Sequence, residues 1–113
     1  MTVGIVGGGM QHYQLVYDKL IELVEDSGVY LFDIFSGWCG ANPPSTQTSV
    51  SYRLATELGA PHKLKQYKTL DALIQGICKE IDYLIIVDDG TREIKRCYMS
   101  YRQTGKHGSV IQI

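Results

Sequence analysis

The chain has 113 residues, a formal net charge of −1 and an apolar fraction of 44%. That describes one domain with one modest core, without the global basic excess of a nucleic-acid binder and without an apolar run long enough to cross a bilayer. The opening Met1-Thr2-Val3-Gly4 lacks the charged and apolar regions of a signal peptide, so a cytoplasmic protein with no membrane partner is expected.

Val3 to Val6 reads as a short buried strand, followed by the turn Gly7-Gly8-Gly9. From Gln11 to Asp26 the apolar spacing turns helical. Val16, Leu20, Leu23 and Val24 share one face, with Tyr13 and Tyr17 beside them, and Asp26-Ser27-Gly28 ends the helix. Val29 to Phe35 is rich in aromatic and branched residues and predicts a second strand, with Asp33 as its polar exception. Residues 37–48, rich in Gly, Pro, Ser and Thr, predict a loop.

Helical spacing resumes with Val50, Leu54 and Leu58 and stops at Gly59. His62 to Tyr67 is a strand candidate. Thr69 caps the next helix, with Asp71 in its first turn and Leu70, Leu73, Ile74, Ile77 and Ile81 along one side. Tyr83 to Val87 is the strongest strand signal. Ile94, Cys97, Tyr98 and Tyr101 then fall at i, i+3, i+4 and i+7, Gly105 stops that helix, and Val110 to Ile113 predicts a final strand.

The order βαβαβαβαβ predicts a single Rossmann-like α/β domain over residues 1–113. Its sheet should be mainly parallel and five-stranded, with helices on both faces. Ligands of such sheets sit at the carboxyl ends of the strands, where the strand order reverses. Three glycine-bearing turns follow strand ends and would lie on that rim: Gly7-Gly8-Gly9, Ser36-Gly37-Trp38-Cys39-Gly40 and Asp88-Asp89-Gly90-Thr91.

The first turn resembles a dinucleotide fingerprint only in part. Gly7 and Gly9 fit G-x-G, but His12 stands where the third glycine belongs, and Phe35-Ser36-Gly37 replaces the acidic end of the second strand. The glycines still let backbone approach a ligand closely; a tight turn with no ligand is the plainer alternative. Ser36 and Gly37 offer a hydroxyl beside open backbone, and Trp38 offers a face for a base or a cover for the core. In the third turn Asp89 or Thr91 can cap the helix, while Gly90 and Thr91 can donate to a phosphate at its N-terminus. Arg92 adjoins that turn. Glu93 in the first helical turn is either a partner of the helix dipole or a catalytic carboxylate. His12, just past the first turn, is a further candidate for the pocket.

Cys39, Cys78 and Cys97 are odd in number and form no CxxC pair, which argues against a disulfide framework or a zinc knuckle. Cys78 and Cys97 fall on apolar helix positions, whereas Cys39 falls in a predicted ligand turn. No His, Cys or carboxylate group has ligand spacing, so neither a metal nor another cofactor is expected.

Taken together, these segments resemble the SLOG superfamily, which includes the DNA-processing protein A fold and the cytokinin-activating phosphoribohydrolases. The similarity runs through Ile5-Val6-Gly7-Gly8-Gly9, Ile34-Phe35-Ser36-Gly37-Trp38-Cys39-Gly40, Leu54-Ala55-Thr56-Glu57-Leu58-Gly59-Ala60-Pro61, Asp82-Tyr83-Leu84-Ile85-Ile86-Val87-Asp88-Asp89-Gly90-Thr91 and the closing Gly105-Lys106. The resemblance implies binding of a nucleotide or nucleotide-derived ligand by Gly7, Gly8, Gly9, His12, Ser36, Gly37, Trp38, Asp89, Gly90, Thr91 and Arg92. Gly90-Thr91-Arg92-Glu93 also fits the Gly-Thr-x-Glu of the enzyme branches, with Glu93 as the carboxylate at an N-glycosidic bond. Their Pro-Gly-Gly-x lead-in is replaced here by Val87-Asp88-Asp89, and their arginine motif is absent, which favours a sensor or sequestering module over a hydrolase. The chain also has eight tyrosines, among them Tyr13, Tyr17, Tyr98 and Tyr101 on helix faces, so a homo-oligomer is expected. Nucleic acid is not an expected partner.

Overall fold

The structure is a computed structural model and describes residues 1–39 and 49–113. Five strands, β1 (Thr2–Val6), β2 (Asp33–Cys39), β3 (His62–Tyr67), β4 (Tyr83–Asp88) and β5 (Gly108–Gln112), form one sheet in the order β3-β2-β1-β4-β5. Every pairing is parallel. Four helices connect them: α1 (Tyr13–Ser27), α2 (Val50–Leu58), α3 (Leu70–Glu80) and α4 (Arg92–Thr104), with a short 3-10 turn at Met10–His12 ahead of α1.

The period-2 alternation of the strands assigns the two faces. Val3, Ile5, Ile34, Ile85 and Val87 pack with Val16 and Leu20 of α1 and Leu54 of α2. Val6, Phe35, Leu84 and Ile86 pack with Ile74 and Ile77 of α3 and Ile94 and Cys97 of α4. The run from Leu84 to Val87 is fully buried because β4 is covered on both sides, which is why it reads as continuous apolar sequence. Cys78 and Cys97 lie in this second core, and burial pushes the Cys97 thiol up to about 11.

Gly28, Gly59 and Gly105 end α1, α2 and α4 in the left-handed conformation, with φ of 69°, 65° and 68°. Two of these helices are also tied to one another by polar contacts. The Tyr13 hydroxyl of α1 donates to Glu57 of α2, Arg53 Nε lies 2.9 Å from the same carboxylate, and the Arg53 guanidinium sits 4.2 Å above the Tyr13 ring. The Tyr13 hydroxyl and Arg53 hold the Glu57 carboxyl below the usual carboxylate range.

The second strand differs from expectation. It begins at Asp33 and runs through Cys39, so Gly37 and Trp38 lie within β2 and not in a turn. Pairing decides this, not propensity: Thr2 meets Asp33, and Cys39 meets Tyr67. Val29, Tyr30 and Leu31 have strand-forming side chains but lie exposed ahead of β2. Glycine at position 37 answers a packing demand, since a Cβ there would fall 2.8 Å from the Tyr67 ring and 3.1 Å from Leu73 Cγ. The remainder of the predicted loop, residues 40–48, and with it Gly40, lies outside the described residues. The last strand covers Gly108–Gln112, two residues earlier in its start than predicted, because its register is set by Leu84↔Gly108.

Gly4 occupies the middle of the central strand beneath α3. A Cβ there would lie 2.8 Å from Ile81 Cδ1 and 2.9 Å from Ile77 Cγ2. Gly4→Ala is therefore expected to destabilise the fold by about 1–3 kcal/mol, the usual cost of one extra carbon in a filled core, read as a lower urea midpoint. An unchanged midpoint would show that α3 is not seated this closely on β1.

Candidate functional site

At the carboxyl rim, beside the point where the strand order reverses, lies a cleft of about 300 Å³. Its floor is the end of β1 (Ile5, Val6, Gly7, Gly8) and the end of β2 (Ser36, Gly37, Trp38, Cys39). One wall is the start of α2, with Ser49, Val50 and Ser51; the other is the start of α3 and α4, with Leu70, Leu73, Glu93 and Ile94. The parallel sheet accounts for this composition, because every strand ends on the same rim and every helix begins there.

Of the residues singled out in the sequence, the cleft brings together Gly7, Gly8, Ser36, Gly37, Trp38 and Glu93. Gly7 and Gly8 have φ of 83° and 82°. A Cβ at Gly7 would meet the Val87 carbonyl at 2.7 Å and Ile94 Cδ1 at 2.8 Å, so this turn is pressed against β4 and α4 and exposes backbone to the cleft. Ser36 is buried, and its Oγ lies 2.9 Å from His62 Nε2. Trp38 lines the cleft, and its Nε1 is buried with no hydrogen-bond partner among the described residues.

Gly9, His12, Asp89, Gly90, Thr91 and Arg92 lie outside the cleft lining. Several of them serve the turns instead. The Gly9 N–H donates to His12 Nδ1 at 3.3 Å. The Gly90 N–H donates to Asp88 Oδ1 at 2.9 Å, and the Thr91 N–H to Asp89 Oδ1 at 3.0 Å. The Thr91 contacts hold the Asp89 carboxyl below its ordinary range. Thr91 is the N-cap of α4, but its hydroxyl makes no capping bond.

Three polar residues were not singled out in the sequence: Ser49 and Ser51 in the cleft lining, and His62, which lies outside the lining at the amino end of β3. Ser49 caps α2 by accepting the Tyr52 N–H at 3.2 Å, and its Oγ lies 3.0 Å from the buried Ser51 Oγ. A serine directly before the first periodic apolar residue, Val50, is the signal that finds it. His62 reaches Ser36 from the start of β3, with the Tyr52 ring edge-on at 5.1 Å. No local pattern reveals that pairing, because it depends on the β2–β3 register. Among the described residues no group of His, Cys, Asp and Glu is arranged to hold a metal ion.

No protein-family model matches the chain, and no curated protein matches it. Among solved structures it is similar to a protein from the universal stress protein family from Burkholderia pseudomallei, at 13% identity and a TM-score of 0.52 over 99% of this chain and 94% of that one. At this identity the likeness shows the fold, a Rossmann-like α/β domain, and no more.

His62, outside the cleft lining but in contact with Ser36, carries a measurable pH signature. Burial holds its imidazole below the ordinary value of 6.5. The unfolded chain then binds a proton that the folded protein resists, so this contribution to stability is full above about pH 6.5 and is lost as pH falls through the lower folded value. The melting temperature is expected to fall between pH 7 and pH 5, and His62→Gln should flatten that slope. An equal slope in wild type and variant would assign the effect to other groups. Glu57 titrates in a lower window and leaves this comparison clear.

Proposed function

We propose that this protein binds a nucleotide or nucleotide-derived small molecule in the cleft at the strand carboxyl ends. The observation that carries the reading is one cavity lined by Gly7, Gly8, Trp38 and Glu93 at the carboxyl rim, where doubly wound sheets take ligands. Its volume of about 300 Å³ falls at the small end of ligand pockets and suits a mononucleotide or a fragment of one, not a dinucleotide. The resemblance of the glycine turns to the SLOG superfamily supports the same reading. A sensor or sequestering module of the cytoplasm is the role that goes with it; no described helix is long and apolar enough to cross a membrane.

Glu93 favours a second reading. It is the carboxylate of the cleft lining, so the geometry also supports cleavage of an N-glycosidic bond, with Glu93 beside the positive charge that develops at the sugar carbon. Binding stands ahead of cleavage because Glu93 has no neighbouring carboxylate in the lining to share acid and base roles.

Self-association belongs to the same proposal, though not through the helix tyrosines. Tyr13 is buried, and Tyr17, Tyr98 and Tyr101 pack against the two cores. Among the described residues the most open large apolar side chains are Leu31 and Tyr30, 87% and 71% exposed, followed by Met99 and Ile113. Light scattering at micromolar concentration should give a mass above the 12.6 kDa of one chain, and a mass of one chain would remove this part of the proposal.

A cleft ligand that binds only the folded protein should raise its melting temperature by mass action. Trp38→Ala should weaken such a ligand roughly tenfold, the scale of one lost aromatic contact. No shift with any nucleoside, mono-, di- or cyclic nucleotide at millimolar concentration would sink the binding reading. In the same samples wild type should release no free base. Release that falls roughly a hundredfold in Glu93→Gln, as expected on losing a charge-stabilising group, would establish the enzyme instead.

A further inference from the structure

We infer that the outer faces of α1 and α4 are the two halves of one interface, through which a second copy of this chain binds; this deepens the self-association proposal and rests on it. α1 contains four carboxylates, Asp18, Glu22, Glu25 and Asp26, and one cation, Lys19, a balance of −3. α4 contains four cations, Arg92, Lys95, Arg96 and Arg102, and one carboxylate, Glu93, a balance of +3. The chain as a whole carries only −1, so the two helices hold equal and opposite excesses on a nearly neutral molecule.

Helical spacing gathers these charges into matching stripes. Leu15, Asp18, Glu22, Glu25 and Asp26 fall at i, i+3, i+7, i+10 and i+11 on one side of α1, and all are exposed. Arg92, Lys95, Met99, Arg102 and Gln103 repeat the same spacing on α4, again all exposed, with Arg96 alongside. Each stripe is roughly 16 Å long at the rise of an α-helix. Each also includes one open apolar side chain, Leu15 at 47% and Met99 at 67% exposure.

The chain itself leaves most of these charges unanswered. Among the described residues Lys19 pairs with Glu22 at 3.5 Å, whereas Glu25, Asp26, Arg92, Lys95 and Arg96 make no ion pair. Arg102 donates to the Tyr98 hydroxyl at 3.0 Å and lies 4.5 Å above its ring, which orients the guanidinium without neutralising it. Glu25 and Asp26 stand in the last turn of α1, where the helix dipole disfavours anions and no cation offsets them. Arg92 opens α4, at the end where the dipole disfavours cations. An antiparallel neighbour that sets Arg92 beside Glu25 and Asp26 relieves both placements.

α1 and α4 pack on opposite faces of the sheet. The contact is therefore head-to-tail, with α4 of one copy on α1 of the next, and it builds a ring or a row of copies. A second copy fits better than a nucleic acid or an anionic membrane, because the complement of α4 is already present on the chain at the same spacing. The slight net negative charge also gives a polyanion no long-range attraction.

The test is light scattering on wild type and two charge-reversed variants, Asp18→Lys with Glu22→Lys on α1 and Lys95→Glu with Arg96→Glu on α4, each first shown to melt as wild type does. Wild type should exceed 12.6 kDa at low ionic strength and fall to that mass in about 1 M NaCl, where the Debye length is about 3 Å. Each variant alone should have the mass of one chain, since its reversed stripe meets a stripe of like charge. An equal mixture of the two should reassemble, because every α1–α4 contact between unlike variants again joins opposite charges. An assembly that survives salt and both reversals would overturn this inference and leave self-association standing through another surface. Loss of assembly in the α4 variant alone, or no recovery in the mixture, would overturn the pairing of α4 with α1. Wild type at the mass of one chain in low salt would remove the self-association proposal as well.

Discussion

The architecture depends on β1 being paired on both sides while remaining thin on one face. Thr2–Val6 is five residues long, yet it holds β2 along one edge and β4 along the other. Val3 and Ile5 fill the core under α1 and α2, and Gly4 leaves the opposite face open for Ile77 of α3 and Ile81 just past its end. This central position makes the strand order reverse beside β1, and the reversal opens the rim. The cleft thus follows from the sheet order, and its left-handed Gly7-Gly8 turn continues the strand that sets that order.

Some of the rim's donors are already engaged within their own turns. Parallel strands deliver all the helix N-termini to the same end of the molecule, which would create a strongly anion-seeking surface if nothing answered it. Short polar side chains answer it locally, at Ser49, Thr69, Asp88 and Asp89. Each bond lies within three residues of its partner in sequence, so these acceptors are built into the turns themselves and need no tertiary contact to form.

The features legible in the sequence were those with local causes. Leu84 to Val87 reads as a central strand because burial on both faces leaves no polar position. Gly28, Gly59 and Gly105 read as helix stops because the left-handed residue after a helix favours glycine. The second strand was misplaced where local and global demands diverge. Val29-Tyr30-Leu31 has the right side chains but no partner strand, whereas Gly37 looks like a turn residue and is a notch for Tyr67. The cleft was half visible for the same reason. Gly7 and Gly8 follow β1, Ser36, Gly37 and Trp38 close β2 and Glu93 opens α4, all within short segments, but the Ser36–His62 pair depends on a register that no single segment encodes.

The two edges of the sheet are chemically unequal. β3 carries exposed Lys63 and Lys65 along one border, whereas β5, Gly-Ser-Val-Ile-Gln, carries no charge along the other. A strand approaching β3 from outside would meet like charges if it were basic and would have to strip water from two ammonium groups in any case; one approaching β5 meets neither obstacle. The sheet is therefore guarded against open-ended growth on one side only. Two copies joined at β5 would present lysine-bearing borders at both ends.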